Sequence, residues 1–239
     1  MDETITSIPF PRLLIILIPS GIVSFIIYSW SLEWKNYIYA ISRMLGQLII
    51  IGYFLSYIFN SNSSPTILFV LMLMIVAASW IALRVLTKKR INLLKYAIIA
   101  IAIGGGVILY IVTQLLLQLD PWYMPRFMIP LAGMIFSSAM NGVSLAAERL
   151  QAEFDKGIGY DDAKRVAFKA SLIPIINSLF AVGLVSIPGM MTGQILSGIS
   201  PLTAARYQIM VMCMIFNSVG LTSYLFLVLL NSKRKKNKF

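Results

Sequence analysis

Apolar runs of about 20 residues, the length an α-helix needs to cross the hydrocarbon core of a bilayer, fill almost the whole chain. Short turn-forming stretches separate them, as at residues 60–65 (NSNSSP) and 120–125 (DPWYMP). The runs predict seven spans, at residues 13–30, 37–59, 65–86, 93–117, 127–146, 174–198 and 203–230. The pattern therefore predicts an all-α, polytopic transmembrane helical bundle, with residues 1–239 forming a single membrane domain.

One charged segment, residues 148–170, interrupts this apolar pattern. Within it Asp161 and Asp162 suit the first turn of a helix, and Ala163 and Ala167 recur at helical spacing. The segment predicts a short amphipathic helix on the cytoplasmic side of the membrane. Such a helix either lies on the membrane surface or docks a cytoplasmic partner.

The basic residues predict the orientation, because Lys and Arg are retained in short cytoplasmic loops. They are concentrated at residues 87–90, 149–169 and 233–238. Seven spans with the N-terminus outside and the C-terminus in the cytoplasm place 17 of the 20 Lys and Arg residues on the cytoplasmic side. The formal net charge of +11 then follows from membrane topology and requires no nucleic acid. The first residues are acidic, and no clear small-residue cleavage site follows the first apolar run. Both features favour a retained span over a signal peptide.

Strongly polar side chains within the predicted spans are costly in hydrocarbon and usually face a bundle interior or a water-filled cavity. Helix breakers concentrate at residues 187–201 (IPGMMTGQILSGISP), which predicts a broken or re-entrant segment of the kind found at transport sites. We predict a translocation pathway formed by Arg43, Gln47, Asn141, Asn177, Met190, Met191, Gln194, Arg206 and Gln208. The alternatives are that the amides join helices, that the methionines fill the core, and that residues 187–201 form a kinked span and a turn.

Catalytic motifs are absent from the sequence. The chain has no histidine and a single cysteine, Cys213, so neither a Ser-His-Asp arrangement nor an internal disulfide can form. It also lacks a GxxxxGK[ST] phosphate loop and an HExxH motif, which argues against an enzyme and against a self-sufficient ATPase. Three classes of function remain: a transport subunit, an ATP-independent channel or secondary transporter, and a receptor or scaffold without transport. Residues 104–106 (GGG) predict a close helix contact rather than a ligand site.

Three segments carry a resemblance to a known family: residues 128–150 (MIPLAGMIFSSAMNGVSLAAERL), 171–187 (SLIPIINSLFAVGLVSI) and 188–212 (PGMMTGQILSGISPLTAARYQIMVM). With the R-x-x-x-Q-L-x-x-x-G-Y pattern from Arg43 to Tyr53, they resemble the FetB family of ABC transporter permeases. That family includes a bacterial iron-export permease and plant aluminium-tolerance relatives.

The resemblance implies a multi-pass permease subunit of the plasma (inner) membrane that forms a homodimeric pore. A separate cytoplasmic ABC ATP-binding subunit would hydrolyse the ATP, so no cofactor is expected on this chain. Metal-ion export is implied, with iron favoured, and oxygen and sulfur atoms would have to bind the metal because histidine is absent. The ATPase coupling surface would lie within residues 157–169 and include Tyr160, Asp161, Arg165 and Phe168.

Overall fold

The computed structural model describes residues 9–59, 63–86 and 90–236. Within these ranges the regular elements are helices, apart from an isolated bridge between Val182 and Ser186. Internal contacts divide the chain into two units, Met1–Ser61 and Asn62–Phe239. The predicted turn at residues 60–62, the basic residues 87–89 and the end of the basic tail at residues 237–239 lie outside the described residues. The predicted all-α membrane bundle is confirmed.

The first unit is a helical hairpin. Its elements are α1 (Phe10–Leu13), a 3₁₀ turn (Leu14–Ile16), α2 (Leu17–Ser29) and α3 (Trp34–Phe59). The turn between α2 and α3 is tight: Ser31 has a φ of 56°, and the rings of Tyr28 and Trp34 meet edge to face with centroids 5.8 Å apart. Pro11–Ser29 and Trp34–Leu55 are both long and apolar enough to cross a membrane.

The second unit holds the remaining helices. They are α4 (Ser64–Ala82), α5 (Arg90–Tyr110) continued by a π-helix (Ile111–Leu116), α6 (Pro125–Asp155), α7 (Tyr160–Ala181), α8 (Gly189–Leu196) and α9 (Pro201–Lys236). Proline stands in the first turn of α4, α6 and α9, where its fixed φ suits a helix start and its missing N–H has no role. The proline-containing breaks expected from the sequence therefore become helix N-termini.

Helices α6 and α9 run in the same direction, and α7 runs between their ends in the opposite direction. Along α6 and α9, the Ser218 hydroxyl donates to the Ile135 carbonyl over 3.1 Å, and further along both helices Leu150 packs with Leu227. The start of α7 packs at that same end of α9, whereas Ile175 of α7 packs near Met212. The chain therefore passes from one end of this bundle to the other between α6 and α9.

Glycine allows α5 and α6 to approach α9 closely. A Cβ atom added at Gly104 would lie 2.7 Å from the Thr222 Cγ2 atom, and one added at Gly142 would lie 2.8 Å from the Ser223 Oγ atom. Gly105 is also buried, with the Phe136 ring 3.0 Å from its ideal Cβ position. The close contact predicted from residues 104–106 is confirmed at Gly104 and Gly105.

No single helix covers the span predicted at residues 174–198, because the chain breaks at residues 182–188, slightly before the helix breakers predicted at residues 187–201. Helix α7 ends at Ala181 because Val182 is extended (ψ 129°) and Gly183 has a φ of 85°, a conformation that a side chain disfavours. Pro188 then precedes the short helix α8. In the described residues six helices are long and apolar enough to cross a membrane, and neither α7 nor α8 is among them.

The short amphipathic helix predicted within residues 148–170 is not a separate element either. It is the first half of α7, and α6 continues to Asp155, so the charged segment forms the end of a long α6–α7 hairpin. The turn between them contains Gly157 with a φ of 79°. The two helices continue through the charged segment because Ala146, Ala163 and Ala167 are small enough to keep them packed against α9.

Candidate translocation pathway and coupling surface

A polar crevice lies between α6, α7 and α9. Its cavity has a volume of about 190 Å³, and Ser138, Asn141, Ser171, Pro174 and Ser178 are among the residues that line it. Positions three or seven apart share a helix face, so each helix contributes its polar residues as one stripe. The crevice lies near the middle of α6, a helix long and apolar enough to cross a membrane.

The crevice presents neutral oxygen atoms. The Ser171 hydroxyl donates to the Phe168 carbonyl over 2.7 Å, and the Ser178 hydroxyl donates to the Pro174 carbonyl over 3.0 Å, so both hydroxyl oxygens keep free lone pairs. The exposed side chain of Asn141 forms no hydrogen bond with any described residue. Such groups can replace part of the hydration shell of a cation.

Two glutamines, one on α8 and one on α9, each carry a buried polar atom. Gln208 is only 5% exposed, and its Oε1 atom is buried without a hydrogen-bond partner among the described residues. The Oε1 atom of Gln194 is buried and unpartnered in the same way. An unsatisfied buried polar atom costs about 1–3 kcal/mol, so both positions are candidates for contact with a ligand or water. Met190 lies one turn before Gln194 on α8, and both it and Met191 are partly buried.

The other predicted pathway residues are distributed over both units. Asn177 is exposed on α7 next to the crevice residue Ser178, and Arg206 is exposed near the start of α9. Arg43 and Gln47 lie one turn apart on α3 of the first unit, as their spacing predicts.

The residues predicted for ATPase coupling divide into two pairs, and the first pair faces the bundle. The Tyr160 hydroxyl donates to the Leu227 carbonyl of α9, and the Phe168 ring meets the Tyr224 ring edge to face with centroids 6.4 Å apart. These contacts give Tyr160 and Phe168 a packing role at this end of α7.

The second pair faces outward. The Asp161 side chain is 78% exposed and pairs with Lys164 over 3.0 Å, and the Arg165 side chain is 80% exposed with Asp162 at 3.9 Å. Pairs this exposed contribute little to stability. Asp161 and Arg165 therefore lie on the solvent-exposed side of α7.

Sequence reasoning missed two features here. Glu153 is a buried carboxylate that accepts bonds from Arg149 over 2.7 Å and Lys156 over 3.3 Å, which holds the end of α6 in place. Its spacing of three and four residues from those bases was a visible signal. Ser171, which lines the crevice, lies two helical turns before Ser178, and that spacing also predicts a shared face.

A second cavity, of about 430 Å³, lies among α4, α5 and α6 and is lined mainly by hydrocarbon, including Leu71, Ile98 and Phe136. It offers an ion almost no ligands. The described residues also contain no cluster of three or more His, Cys, Asp or Glu side chains able to hold a metal.

Comparison with known proteins places these features in a family. Residues 12–234 match the model of the uncharacterised protein family UPF0014. A UPF0014 membrane protein of Synechocystis is 34% identical over 193 residues, covering 74% of each chain. No solved structure matches the chain.

Two further relatives have descriptive names. The Escherichia coli protein named probable iron export permease protein FetB is 33% identical over 79% of this chain and 77% of its own. The Arabidopsis thaliana protein ALUMINUM SENSITIVE 3 is 31% identical over 78% of this chain and 72% of its own. With six apolar helices of spanning length among its described residues, this chain is a multi-pass integral membrane protein and belongs to the UPF0014 family of membrane proteins.

Proposed function

We propose that this chain is the permease of an ATP-driven metal exporter, with iron as the favoured cargo. It works as a homodimer, and a separate ABC ATP-binding subunit supplies the energy, so this chain itself binds no cofactor. The observation that carries the proposal is the α6–α7 hairpin, which joins a polar crevice at mid-depth to an exposed, charged tip. The name of the Escherichia coli relative supports the choice of iron.

The membrane topology of the proposed permease has seven crossings. Because α6 and α9 run in the same direction, the chain returns between them, and in this proposed topology α7 followed by α8 is the seventh crossing. The six helices of spanning length supply the others. An odd number of crossings, with the N-terminus outside and the C-terminus in the cytoplasm, keeps the charged hairpin on the cytoplasmic side.

Coupling to ATP hydrolysis requires a rigid link between the tip of the hairpin and the crevice. The tip is held by the buried Glu153 carboxylate, and the alanines of α6 and α7 pack tightly against Leu227. A subunit that binds at Asp161 and Arg165 would therefore move α6 and α7 together and change the width of the crevice between them. Close-packed helices transmit such a displacement because they deform little.

The cargo would meet neutral ligands along its path. The crevice offers Asn141 and serine hydroxyls, and the unpartnered Oε1 atoms of Gln194 and Gln208 offer further oxygens. Neutral, incomplete ligand sets bind a cation weakly enough to release it, which transport requires. Met190 and Met191 would add softer sulfur ligands for ferrous iron.

The experiment that tests this function is reconstitution of the chain with its ABC ATP-binding subunit in liposomes, over a panel of metal ions. We expect iron to stimulate ATP hydrolysis and to enter liposomes whose ATP-binding subunit faces the medium. An ATP-binding subunit without its phosphate-loop lysine is the matched control and should abolish both signals. Metal flux in liposomes lacking the ATPase would instead indicate a channel or secondary transporter, and ATPase binding without any metal response would reject the cargo.

The coupling surface is tested by the charge reversals Asp161→Arg and Arg165→Glu. Both side chains are largely exposed, so folding should be unaffected while affinity for the ATP-binding subunit falls several-fold. Arg126→Glu, at the opposite end of α6, is the control and should leave affinity unchanged. Equal binding by all three variants would remove the hairpin tip from the interface.

A further inference from the structure

The outward face of α6 carries a row of polar side chains beside the exposed Leu145, where a lipid-facing helix would be apolar throughout. Ser137, Asn141, Ser144 and Glu148 follow one another at four-, three- and four-residue spacing and so form a single stripe. Ser137, Asn141 and Glu148 are exposed, and Ser144 is half-buried. The outward faces of α4 and α5 differ, with exposed side chains such as Leu68, Met72, Ile103 and Val107.

Hydrocarbon cannot satisfy the groups on this face. The amide of Asn141 has two donors and an acceptor, none of which bonds to a described residue. Pro174, which also lines the crevice, has no N–H to donate to the Ala170 carbonyl one turn earlier. Polar groups at membrane depth persist only where protein or water covers them.

The chain after α7 has the same requirement. Val182 packs against the cluster of Ile175, Met212 and Val219, which places the break between α7 and α8 within the apolar length of α9. Leu184 and Val185 are 90% and 85% exposed, and their carbonyl groups accept no hydrogen bond from the described residues. Irregular backbone at this depth is likewise found only against protein or a water-filled cavity.

The charges at the cytoplasmic end of this face are complementary. Glu148 lies on α6 between Ala146 and Leu150, and these two residues pack against Ala163 and Ala167 of α7. The Phe154–Tyr160 ring contact sets the antiparallel register of α6 and α7, and in this register Lys169 lies about one helical turn further from the hairpin tip than Glu148, a distance that the two long side chains can span. Both side chains are exposed, and neither forms an ion pair with a described residue.

From these observations we infer that a second copy of this chain covers the α6–α7 face, related by a two-fold axis along the membrane normal. A two-fold interface presents the same patch from both sides, and serine and asparagine suit it because each both donates and accepts. The two Asn141 residues lie close to each other, and Glu148 of each copy faces Lys169 of the other. Small serines allow the backbones to approach. This inference rests on the proposed homodimeric permease, and it places the crevice between the two copies.

Cysteine cross-linking tests the contact at Asn141. Because Cys213 is the single cysteine, Cys213→Ser gives a cysteine-free background. In this background Asn141→Cys should form a covalent dimer with a short bifunctional thiol reagent in membranes. The control Ile103→Cys, on the apolar outward face of α5, should stay monomeric. Equal dimer yield from both variants, or none from Asn141→Cys, would overturn the interface.

A charge exchange between copies tests the contact independently. Separately tagged copies carrying Glu148→Lys and Lys169→Glu each place like charges opposite one another in their own homodimers, but the mixed dimer contains two opposite-charge contacts. At equal expression, the ratio of mixed dimers to same-tag dimers should exceed the ratio for two differently tagged wild-type copies by a factor of about 2–5, as exposed ion pairs are individually weak. No preference for mixed dimers would contradict the pairing.

Cross-linking combined with the liposome flux assay distinguishes failure of this inference from failure of the proposed function. ATP-driven metal flux without cross-linking or charge preference would retain the permease and reject the α6–α7 interface. Cross-linking and charge preference without flux under any ATPase would retain the interface and reject the transport function. Asn141→Leu gives a further test, measured as the fraction of dimer. The substitution should reduce this fraction if Asn141 lies in the interface, and it should leave the oligomeric state unchanged if Asn141 faces lipid.

Discussion

The contact between Gly104 of α5 and Thr222 of α9 makes a quantitative prediction for the substitution Gly104→Ala. The added Cβ would lie 2.7 Å from Thr222 Cγ2, 3.1 Å from its backbone nitrogen and 3.2 Å from its Cα. The first distance is about 0.7 Å (3.4 minus 2.7) short of the 3.4 Å at which ordinary contact begins. Rotating the side chain cannot relieve the overlap, because backbone atoms are also too close and the Thr222 hydroxyl donates to Ser218 over 2.6 Å.

The two helices must therefore separate, and overpacking of this kind costs about 1–3 kcal/mol. Gly106→Ala is the matched control, since no atom lies within 4 Å of its added Cβ; alanine there should be neutral or gain up to about 1 kcal/mol from helix propensity. The double variant Gly104→Ala, Thr222→Ser should recover part of the loss, because serine lacks Cγ2 but keeps the hydroxyl.

The assay is thermal unfolding of the purified protein in one detergent, followed by the loss of monodisperse material on size-exclusion chromatography. Gly104→Ala should unfold several degrees below the wild type, and Gly106→Ala at or above it. Equal unfolding temperatures for the two single variants would refute the close α5–α9 contact. A double variant no better than Gly104→Ala would leave the backbone atoms of Thr222 as the whole obstruction.

Three further predictions concern single side chains. Tyr160→Phe removes the hydroxyl that donates to the Leu227 carbonyl. It should lower the free energy of unfolding by about 1 kcal/mol and leave binding of the ATPase unchanged. Loss of ATPase binding without loss of stability would give Tyr160 a coupling role instead. Gln208→Leu removes a buried unpartnered oxygen, so thermal stability should rise while metal flux falls, and unchanged flux would exclude Gln208 from the pathway. Arg90→Lys should destabilise the α4–α5 hairpin as much as Arg90→Ala does. The Arg90 guanidinium lies 3.6 Å from the centre of the Trp80 ring and donates two hydrogen bonds to the Trp80 backbone carbonyl, and lysine cannot do both. A lysine variant as stable as the wild type would contradict this.

The polar residues of the crevice show how far spacing alone can predict a site. Ser138 and Asn141 are three residues apart, so a helix places them on one face whatever surrounds it. Their position opposite Ser171 and Ser178 depends on the register between α6 and α7, which alanine packing and the turn at Gly157 set. That register is a long-range property, and no local pattern in the chain encodes it.

The coupling residues show the same division. Helical periodicity predicts that Tyr160 and Asp161 point in different directions, but it does not say which of them faces protein. The Leu227 carbonyl, 67 residues away, decides this by accepting the Tyr160 hydroxyl. Asp161 and Arg165 then remain outward.

The sequence by itself determined the membrane class, the helical architecture and most helix boundaries, because apolar run length, proline and glycine act locally. It also indicated the helix breakers between α7 and α9, although it did not predict that α7 would end at Ala181. The tertiary structure alone decided which polar side chains meet, which glycines permit close approach and which oxygens stay unpartnered. These depend on distances between helices far apart in the chain, and such distances follow from the packing of the whole bundle.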